Sequence, residues 1–263
     1  MIPTISLFGK TISVYMILAV IGILITLLYG YKSAQKNGLD EIEMLYTLLW
    51  SFTGALLGGH LLYALVNFDL LRAFVSGISD FSSFREFLGG FALVFGGSVF
   101  YGGLIGALGA AYLYMKKKRL SLGQYADIGA PAIPLFHTFG RIGCFLSGCC
   151  YGVESPFGFV YYHSAVDSAN GVPRFPVQLV EALCNLIFFL ILNHLLRRGK
   201  CQGKLIAVYL ILYTPTRFLL EFLRGDNYRG FLGPLSTSQL LSVVLFIPAI
   251  LYLIIRRKKR SET

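Results

Sequence analysis

The stretch ISVYMILAVIGILITLLYGY, residues 12–31, decides the fold class of this chain. It is a continuous apolar run of about 20 residues, the length that an α-helix needs to cross the hydrocarbon of a bilayer. Similar runs follow at 44–66, 91–115, 122–139, 176–196, 205–223 and 237–255. The sequence therefore predicts an all-α membrane protein, a polytopic bundle of about seven transmembrane helices.

The overall composition supports a membrane protein. The 263 residues are 56% hydrophobic and 14% charged, whereas soluble domains are about 45–50% apolar and about 25% charged. No linker or low-complexity segment divides the chain, so we expect one integral membrane domain over residues 1–263. Within it, the fourth run is the weakest, because it is interrupted by Asp127, Pro131, Pro134 and His137. Residues 77–90 and 145–173 are too polar or too glycine-rich to cross, and we expect outer loops or re-entrant segments there.

The basic residues are clustered between alternate apolar runs. Clusters lie at 32–36, 116–119, 197–204 and 256–260. Because cytoplasmic loops carry the excess of lysine and arginine, this pattern predicts an N-terminus outside and a C-terminus in the cytoplasm. Topology and contact with anionic lipid headgroups explain the net charge of +10. We therefore expect no nucleic-acid partner.

The basic residues on the predicted outer side are spaced singly and are nearly all arginines, among them Arg141, Arg174, Arg217 and Arg224. Arginine presents a planar fork that suits bidentate contact with phosphate or carboxylate. The alternative is that some of these side chains only extend to the membrane surface.

A glycine-rich stretch, FGGSVFYGGLIG, occupies residues 95–106. Small residues allow close helix packing in membranes, which would explain Gly102, Gly103 and Gly106. Alternatively, Gly96 and Gly97 expose backbone where a lipid headgroup comes near. The sequence leaves both interpretations open.

The stretch DIGAPAIPLFHTFGRIGCFLSGCCYG, residues 127–152, carries the strongest local signal for phosphate binding. A carboxylate such as Asp127 in an apolar, proline-broken helix usually faces a wet cavity or a partner. We expect Arg141 just beyond the end of that helix, in a tight turn between Gly140 and Gly143. Its guanidinium would then lie at the membrane surface.

Three cysteines follow in the same stretch, Cys144, Cys149 and Cys150. Their spacing differs from the paired pattern of zinc sites, even with His137 seven residues upstream of Cys144. A disulfide is an alternative because the loop faces the oxidising side, and simple packing of small polarizable side chains is another. We favour packing, and expect neither a metal nor another cofactor.

The stretch RFPVQLVE, residues 174–181, predicts a helix that begins at Pro176. Gln178 and Glu181 then lie three residues apart on one face. They either form a polar contact between helices or line a cavity with Arg174.

The stretch YTPTRFLLEFLRGD, residues 213–226, places Tyr213, Arg217, Glu221 and Arg224 in one polar stripe. A charge in hydrocarbon costs about 2.5–3.5 kcal/mol or more unless it is satisfied. Arg217 and Glu221 can pair within the helix, which lowers that cost. A purely structural ion pair is the alternative to a functional one.

Taken in order, these motifs resemble the prolipoprotein diacylglyceryl transferase family of the bacterial inner membrane. The matching positions cover nearly the whole chain: Tyr15, Gly58-Gly59, FGGSVFYGGLIG, the D-x-x-A-P-x-I-P pattern from Asp127, GRIG at 140–143, RFPVQLVE, Y-x-x-x-R-x-x-x-E-F-x-R at 213–224 and STSQLLS at 236–242. The resemblance implies transfer of the sn-1,2-diacylglyceryl group of phosphatidylglycerol to the lipobox cysteine thiol of prolipoproteins, with glycerol phosphate leaving.

The resemblance also implies an outward-facing site that receives phosphatidylglycerol, other membrane lipids and the prolipoprotein signal-peptide segment. We expect a monomer, because one helical bundle suffices. The resemblance further implies that Arg141 and Arg217 hold the phosphate, that Glu221 orients Arg217, and that Tyr101 completes the catalytic set. Substrate-binding positions implied in the same way are Tyr15, Gly96, Gly97, Gly102, Gly103, Asp127, His137, Gly143, Gly152, Arg174, Gln178, Glu181, Tyr213 and Arg224.

The chain departs from the family pattern at several positions. Tyr101 stands where the family usually has a histidine, and a phenol is a weak base at neutral pH. Cys144 and Cys149 replace the usual asparagine and glutamate after glycine, and His60 stands where an arginine often follows the paired glycines. His60, His137 or the arginine field alone would then assist the thiol. Alternatives are a related transferase with another donor or acceptor, and a non-catalytic lipid-binding or thiol-redox membrane protein.

Overall fold

The protein is described by a computed structural model over residues 3–7, 9–78, 81–164, 166–200, 202–226 and 231–261. A short antiparallel hairpin, β1 (Thr4–Leu7) and β2 (Lys10–Ser13), precedes the first helix. The helices are α1 (Val14–Lys36), α2 (Glu41–Val66), α3 (Phe68–Ser76), α4 (Phe84–Phe95), α5 (Phe100–Lys117), α6 (Leu122–Ser147), α7 (Val177–Arg197), α8 (Leu205–Leu220) and α9 (Thr237–Ser261). Strands β3 (Glu154–Val160) and β4 (Pro173–Arg174) pair between α6 and α7, and β5 (Phe231–Leu232) pairs with β6 (Leu235–Ser236) before α9.

Five of these helices are long and apolar enough to cross a membrane. They are α1, α2, α7, α8 with the turn that follows it, and α9. The predicted helical membrane architecture is confirmed, but the predicted count of seven spans is not. The remaining two predicted spans correspond to a broken helix pair, α4 and α5, and to the more polar helix α6.

The described residues group into two compact units. The large unit comprises residues 1–33 and 123–263, and the small unit comprises residues 34–122. The expectation of a single membrane domain stays a prediction.

In the small unit, α2 and α5 pack through glycines. A Cβ atom built on Gly106 would overlap the carbonyl oxygen of Gly54, and one on Gly58 would overlap that of Gly102. A Cβ on Gly103 would lie 3.2 Å from the carbonyl oxygen of Ala55. Close approach of two helices therefore accounts for these glycines of α5, as small residues do elsewhere in membranes.

The predicted run 91–115 is not one helix, because its backbone turns toward α2 between Phe95 and Phe100. His60 Nδ1 donates to the carbonyl oxygen of Gly97 at 2.8 Å, and the N–H of Val99 donates to the carbonyl of Gly59 at 3.1 Å. The space beside the Gly97 Cα is filled by the Tyr63 ring. Contacts with α2 therefore replace the helical hydrogen bonds of this segment, and Gly97 packs against an aromatic ring.

Residues 77–90, expected as an outer loop or re-entrant piece, include the first turns of α4. Ser83 caps this helix by accepting a hydrogen bond from the N–H of Glu86 at 3.3 Å. Serine is a favoured N-cap residue because its hydroxyl satisfies a free backbone donor. The loop alternative is therefore wrong from Phe84 onward, and a re-entrant segment stays a prediction. Residues 79 and 80 lie outside the described residues.

One end of the large unit is organised around Asp127, near the start of α6. Its carboxylate accepts hydrogen bonds from the backbone N–H groups of Gly203 and, at 3.1 Å, of Leu205, where α8 begins. Tyr252 of α9 donates to the carbonyl of Gly203 at 2.8 Å. The partner expected for Asp127 is therefore a helix start, and we call this region the Asp127 end.

At the opposite end, α6 continues through Arg141 to Ser147. The prediction that this helix stops near residue 139 and that Arg141 lies in a tight turn is therefore wrong. The helix ends at Gly148, whose φ of +75° suits glycine. The N–H groups of Gly148 and Cys149 donate to Phe145 and Cys144 at 3.2 Å and 3.1 Å, the Schellman pattern of helix ends.

Residues 151–153, which follow α6, form backbone hydrogen bonds with two other segments of the chain. Val153 donates to the carbonyl of Leu223 at 3.0 Å, and its own carbonyl accepts from Phe175 at 2.9 Å. Gly225 donates to the carbonyl of Tyr151 at 3.0 Å. A Cβ on Gly152 would overlap the carbonyl oxygen of Phe175, so only glycine fits this crossing. The segment joins the ends of α6, α7 and α8.

Candidate functional site

The site begins with two α6 side chains that face one carboxylate on α7. His137 and Arg141 are four residues apart and therefore lie on one helical face. Arg141 Nη2 lies 3.0 Å from Glu181 Oε1, and His137 Nε2 lies 3.7 Å from the same oxygen. The Glu181 side chain is 3% exposed and that of Arg141 is 13% exposed. A buried carboxylate is stable only when paired, so these contacts fix α6 against α7.

Further positive charge is gathered around the same carboxylate. Arg141, Arg217 and Arg224 all lie within electrostatic range of the Glu181 carboxyl group. The His137 ring lies 5.5 Å from the Tyr213 ring of α8, centroid to centroid. Residues predicted from three separate motifs are therefore brought together at the end of the large unit away from Asp127.

Arg217 is held by two partners. Its Nη1 lies 2.7 Å from Glu221 Oε2, and its Nη2 donates to Ser238 Oγ at 3.1 Å. The predicted pairing of Arg217 with Glu221 is confirmed, although α8 tightens into a 3₁₀ turn at Glu221–Leu223. Ser238 was not singled out from the sequence. Its signal was the S-x-x-Q capping box that opens α9, in which Ser236 Oγ accepts from the N–H of Gln239 at 3.2 Å.

Arg224 forms a bidentate pair with Asp226. Its Nε and Nη2 donate to the two carboxylate oxygens at 2.9 Å and 2.7 Å. Such fork-to-fork pairs combine charge with fixed geometry. Asp226 follows directly in the quoted motif, but the sequence alone did not assign it a role.

Gln178 and Arg174 contact the loop that follows α6. Gln178 Nε2 donates to the carbonyl of Cys149 at 2.8 Å and to Tyr161 Oη at 3.2 Å. Burial raises the pKa of Tyr161 to about 12, although the hydrogen bond from Gln178 acts in the opposite direction. Arg174 Nη2 donates to the carbonyl of Ser168 at 2.8 Å, and its guanidinium lies 4.8 Å from the Tyr151 ring centroid. Gln178 and Glu181 thus make polar contacts between segments, one of the two predicted alternatives.

The three cysteines form a cluster. Cys144, Cys149 and Cys150 are free thiols, and their sulfur atoms all lie within 4.8 Å of one another. Cys150 adopts a φ of +55°, which is uncommon for a side chain other than glycine. Hydrogen bonds with the Cys144 and Cys149 thiols lower the pKa of Cys150, the charges of Arg141 and Arg224 act in the same direction, and burial opposes them. The pKa values of Cys144 and Cys149 are raised, so Cys150 is the one thiol of the three that is shifted toward the thiolate.

Tyr15, at the start of α1, packs against Gly143 of α6, close to Arg141 and Cys144 in the chain. A Cβ built on Gly143 would lie 3.1 Å from Cδ2 and 3.4 Å from Cα of Tyr15. Glycine at 143 therefore allows the start of α1 to approach α6 within one turn of Arg141.

Other predicted positions are not among the site residues whose contacts are described above. Asp127 precedes Arg141 by fourteen residues on α6, about 21 Å at 1.5 Å per residue, so it is not among the residues gathered there. Gly96, Gly97, Gly102 and Gly103 belong to the small unit, as does Tyr101 in the first turn of α5.

Comparison with known protein families gives a match over nearly the whole chain. The family model described as prolipoprotein diacylglyceryl transferase matches residues 3–255. The chain belongs to this family. The resemblance inferred from the ordered motifs is thereby confirmed.

Individual members of the prolipoprotein diacylglyceryl transferase family are similar along their full length. The phosphatidylglycerol–prolipoprotein diacylglyceryl transferase 2 of Clostridium perfringens is 35% identical over 261 residues, which is 98% of this chain and 96% of the relative. The phosphatidylglycerol–prolipoprotein diacylglyceryl transferase of Clostridium tetani is 32% identical over 257 residues, 97% of each chain. That of Campylobacter jejuni is 33% identical over 262 residues, 97% of this chain and 93% of the relative.

Proposed function

We propose that this chain is a phosphatidylglycerol–prolipoprotein diacylglyceryl transferase. It moves the sn-1,2-diacylglyceryl group of phosphatidylglycerol to the lipobox cysteine thiol of a prolipoprotein, forming a thioether and releasing glycerol phosphate. Family membership along residues 3–255 and the names of the full-length relatives support this reaction.

The observation that carries the proposal is the arginine cluster around Glu181. The reaction breaks a carbon–oxygen bond of a phosphodiester, so negative charge grows on the departing phosphate. Preorganised cationic donors in a dry site stabilise such charge strongly. Arg141 Nε is buried and has no hydrogen-bond partner among the described residues. An unsatisfied buried donor costs about 1–3 kcal/mol or more, and a phosphate oxygen would remove that cost.

In this proposal Arg141 and Arg217 hold the phosphate and stabilise the leaving group. Glu181 positions Arg141, and Glu221 with Ser238 positions Arg217, because each partner fixes one edge of a guanidinium while other N–H groups stay available. The remaining family-motif positions, with the exception of Asp127, are proposed to bind substrate. Tyr101 is proposed as a further catalytic residue on the resemblance alone.

We further propose that the protein acts as a monomer in the bacterial inner membrane, with the arginine cluster facing outward. The Asp127 end carries the basic residues between 197 and 204, which the distribution of charge assigns to the cytoplasm. The arginine cluster lies at the opposite end of the same helices, where a translocated signal peptide would arrive.

A complementation experiment tests the function. The chain is expressed in bacteria depleted of their own transferase, and lipobox-cysteine lipidation is followed by mass spectrometry. A thioether-linked diacylglyceryl cysteine is the expected product. Its absence, despite verified membrane insertion and normal expression, would reject the proposed function.

A further inference from the structure

Two left-handed backbone turns bring the three cysteines of the cluster together, which simple packing of small side chains would not require. The helix end at Gly148 reverses the chain, and the left-handed backbone of Cys150 then turns it again. These two turns return Cys149 and Cys150 toward Cys144 of the last helical turn. The result is three sulfur atoms mutually within 4.8 Å. Strained backbone at a non-glycine residue persists where surrounding structure holds it, often at functional sites.

The sulfur separations suit a thiolate-bound metal ion. A zinc–sulfur bond is about 2.3 Å long, so two thiolates in a tetrahedral site lie about 3.8 Å apart. The three sulfur atoms therefore need to close by about 1 Å at most to bind one ion. Thiolates select zinc and other soft ions over magnesium or calcium.

Charge and access also fit such an ion. Three thiolates and one Zn²⁺ carry a net charge of −1, and Arg141 and Arg224 both lie within electrostatic range of Cys150. Cys144 is buried, whereas Cys149 and Cys150 are only partly buried. The two arginines offset the negative charge of the metal site. The partly exposed side, at Cys149 and Cys150, leaves space for a further ligand to approach the ion.

We propose that Cys144, Cys149 and Cys150 bind one Zn²⁺ ion through their sulfur atoms and leave its fourth position for the acceptor cysteine thiol. Structural zinc sites have four protein ligands, whereas sites with three protein ligands keep one position open for water or substrate. The acceptor role rests on the proposed transferase function. The binding of zinc does not.

The step balances without any redox change. On binding, the acceptor thiol loses its proton to water, since a thiol bound to zinc is deprotonated outright. The thiolate sulfur attacks the terminal glyceryl carbon of phosphatidylglycerol, the carbon–oxygen bond to phosphate breaks, and its electron pair leaves with glycerol phosphate. Arg141 is three residues before Cys144 and interacts electrostatically with Cys150. The thiolate bound at the cluster and the phosphate bound by Arg141 would therefore lie close together. Glycerol phosphate then takes up a proton from water.

The proposed zinc ion would activate the acceptor thiol in a chain that has tyrosine, a weak base at neutral pH, at residue 101. A free cysteine thiol has an ordinary pKa of about 8.5, so little of it is ionised at neutral pH. Coordination supplies the thiolate without a strong protein base.

The metal is tested on the full-length protein in detergent, purified with a thiol reductant. Metal content is measured by mass spectrometry, and zinc affinity by competition with a chromogenic chelator. We expect one zinc per chain in wild type. Cys144→Ser, Cys149→Ser and Cys150→Ser should each weaken zinc binding at least tenfold, since even partners of metal ligands are worth about 10–100-fold in affinity. Cys184→Ser, which alters a free thiol of α7 outside the cluster, should bind zinc as wild type does.

The open position is tested with cobalt and a lipobox peptide. Co²⁺ replaces zinc and reports thiolate ligands through charge-transfer absorption in the near ultraviolet. A peptide with the lipobox cysteine should increase that absorption, and the same peptide with serine should not. An unchanged spectrum with both peptides would overturn the acceptor role.

The outcomes separate this inference from the proposed function. Lipidation by a chain that binds no stoichiometric zinc would overturn the inference and leave the transferase intact. Zinc binding in a chain that lipidates nothing would reject the transferase, and the acceptor role with it. A disulfide within the cluster of protein isolated without reductant, or equal zinc loss in Cys184→Ser, would also overturn the zinc site.

Discussion

Glu181 on α7 lies 3.0 Å from Arg141 on α6, so one buried carboxylate fixes the guanidinium that we assign to the phosphate. This contact uses only one edge of the arginine fork. The Nε of Arg141 remains buried without a hydrogen-bond partner among the described residues. The geometry of the guanidinium, and not only its charge, should therefore matter.

Arg141→Lys tests the role of this geometry. Lysine keeps the charge but lacks the planar fork, and we expect the initial rate of diacylglyceryl transfer to fall about 10²–10³-fold, as when one transition-state donor is removed. The rate is measured with phosphatidylglycerol vesicles and a lipobox peptide. Arg197→Lys at the exposed end of α7 is the control and should keep the wild-type rate. A rate for Arg141→Lys within twofold of wild type would reject the phosphate assignment.

The pair of Arg217 and Glu221 can be structural, catalytic or both, and a double substitution separates these roles. Glu221→Gln should lower the melting temperature, because breaking a buried pair costs about 3–5 kcal/mol. Arg217→Met combined with Glu221→Leu should recover most of that stability, since apolar replacement of a buried pair is often neutral. Transfer activity should stay lost in the double variant. Recovered activity would mean that the pair serves only the fold.

Glycine packing between α2 and α5 predicts a contrast between two neighbouring positions. Gly106→Ala should destabilise the protein by about 1–3 kcal/mol, the usual range for overpacking, because its methyl group would overlap the carbonyl of Gly54. Gly109→Ala has open space around its Cβ position and should be neutral or stabilising by up to about 1 kcal/mol. Thermal unfolding in detergent measures both. Equal effects would show that the close approach of the helices is not what selects glycine.

Asp127 should matter for stability and not for chemistry. Asp127→Ala removes the acceptor for the N–H groups of Gly203 and Leu205, which should cost about 1–2 kcal/mol, as for other lost helix caps. Asp127→Asn keeps one oxygen acceptor and should cost less. The transfer rate per folded molecule should be unchanged in both, since Arg141 lies about 21 Å away along α6. A selective fall in that rate would assign Asp127 to the substrate after all.

The sequence predicted the apolar helices well, because a bilayer imposes a length on each of them. The predicted run 176–196 corresponds to Val177–Arg197, and 44–66 to Glu41–Val66. The broken helix at 96–99 was missed because its hydrogen bonds are made with α2, and a local run of apolar residues does not report on a neighbouring helix.

The prediction for α6 failed for a related reason. Gly140 and Gly143 suggested a turn, but in the large unit the helix continues with Tyr15 packed at Gly143. The true stop signal was Gly148. In the site, the pairing of Arg217 with Glu221 could be predicted because its spacing is helical. The partner Ser238 lies in another segment, so only the fold brings it to Arg217. Asp226 lies two residues after Arg224, a spacing that places the two side chains on different faces of a helix, so the helical pattern gave no sign of this pair.

The crossing at Gly152 has a consequence for how the protein is made. Residues 151–153 are synthesised long before Leu223 and Gly225, on which their backbone bonds depend. The loop that carries Cys149 and Cys150 therefore cannot close until α8 has been inserted. During biogenesis Cys149 and Cys150 therefore stay unsheltered until the residues that follow α8 are in place.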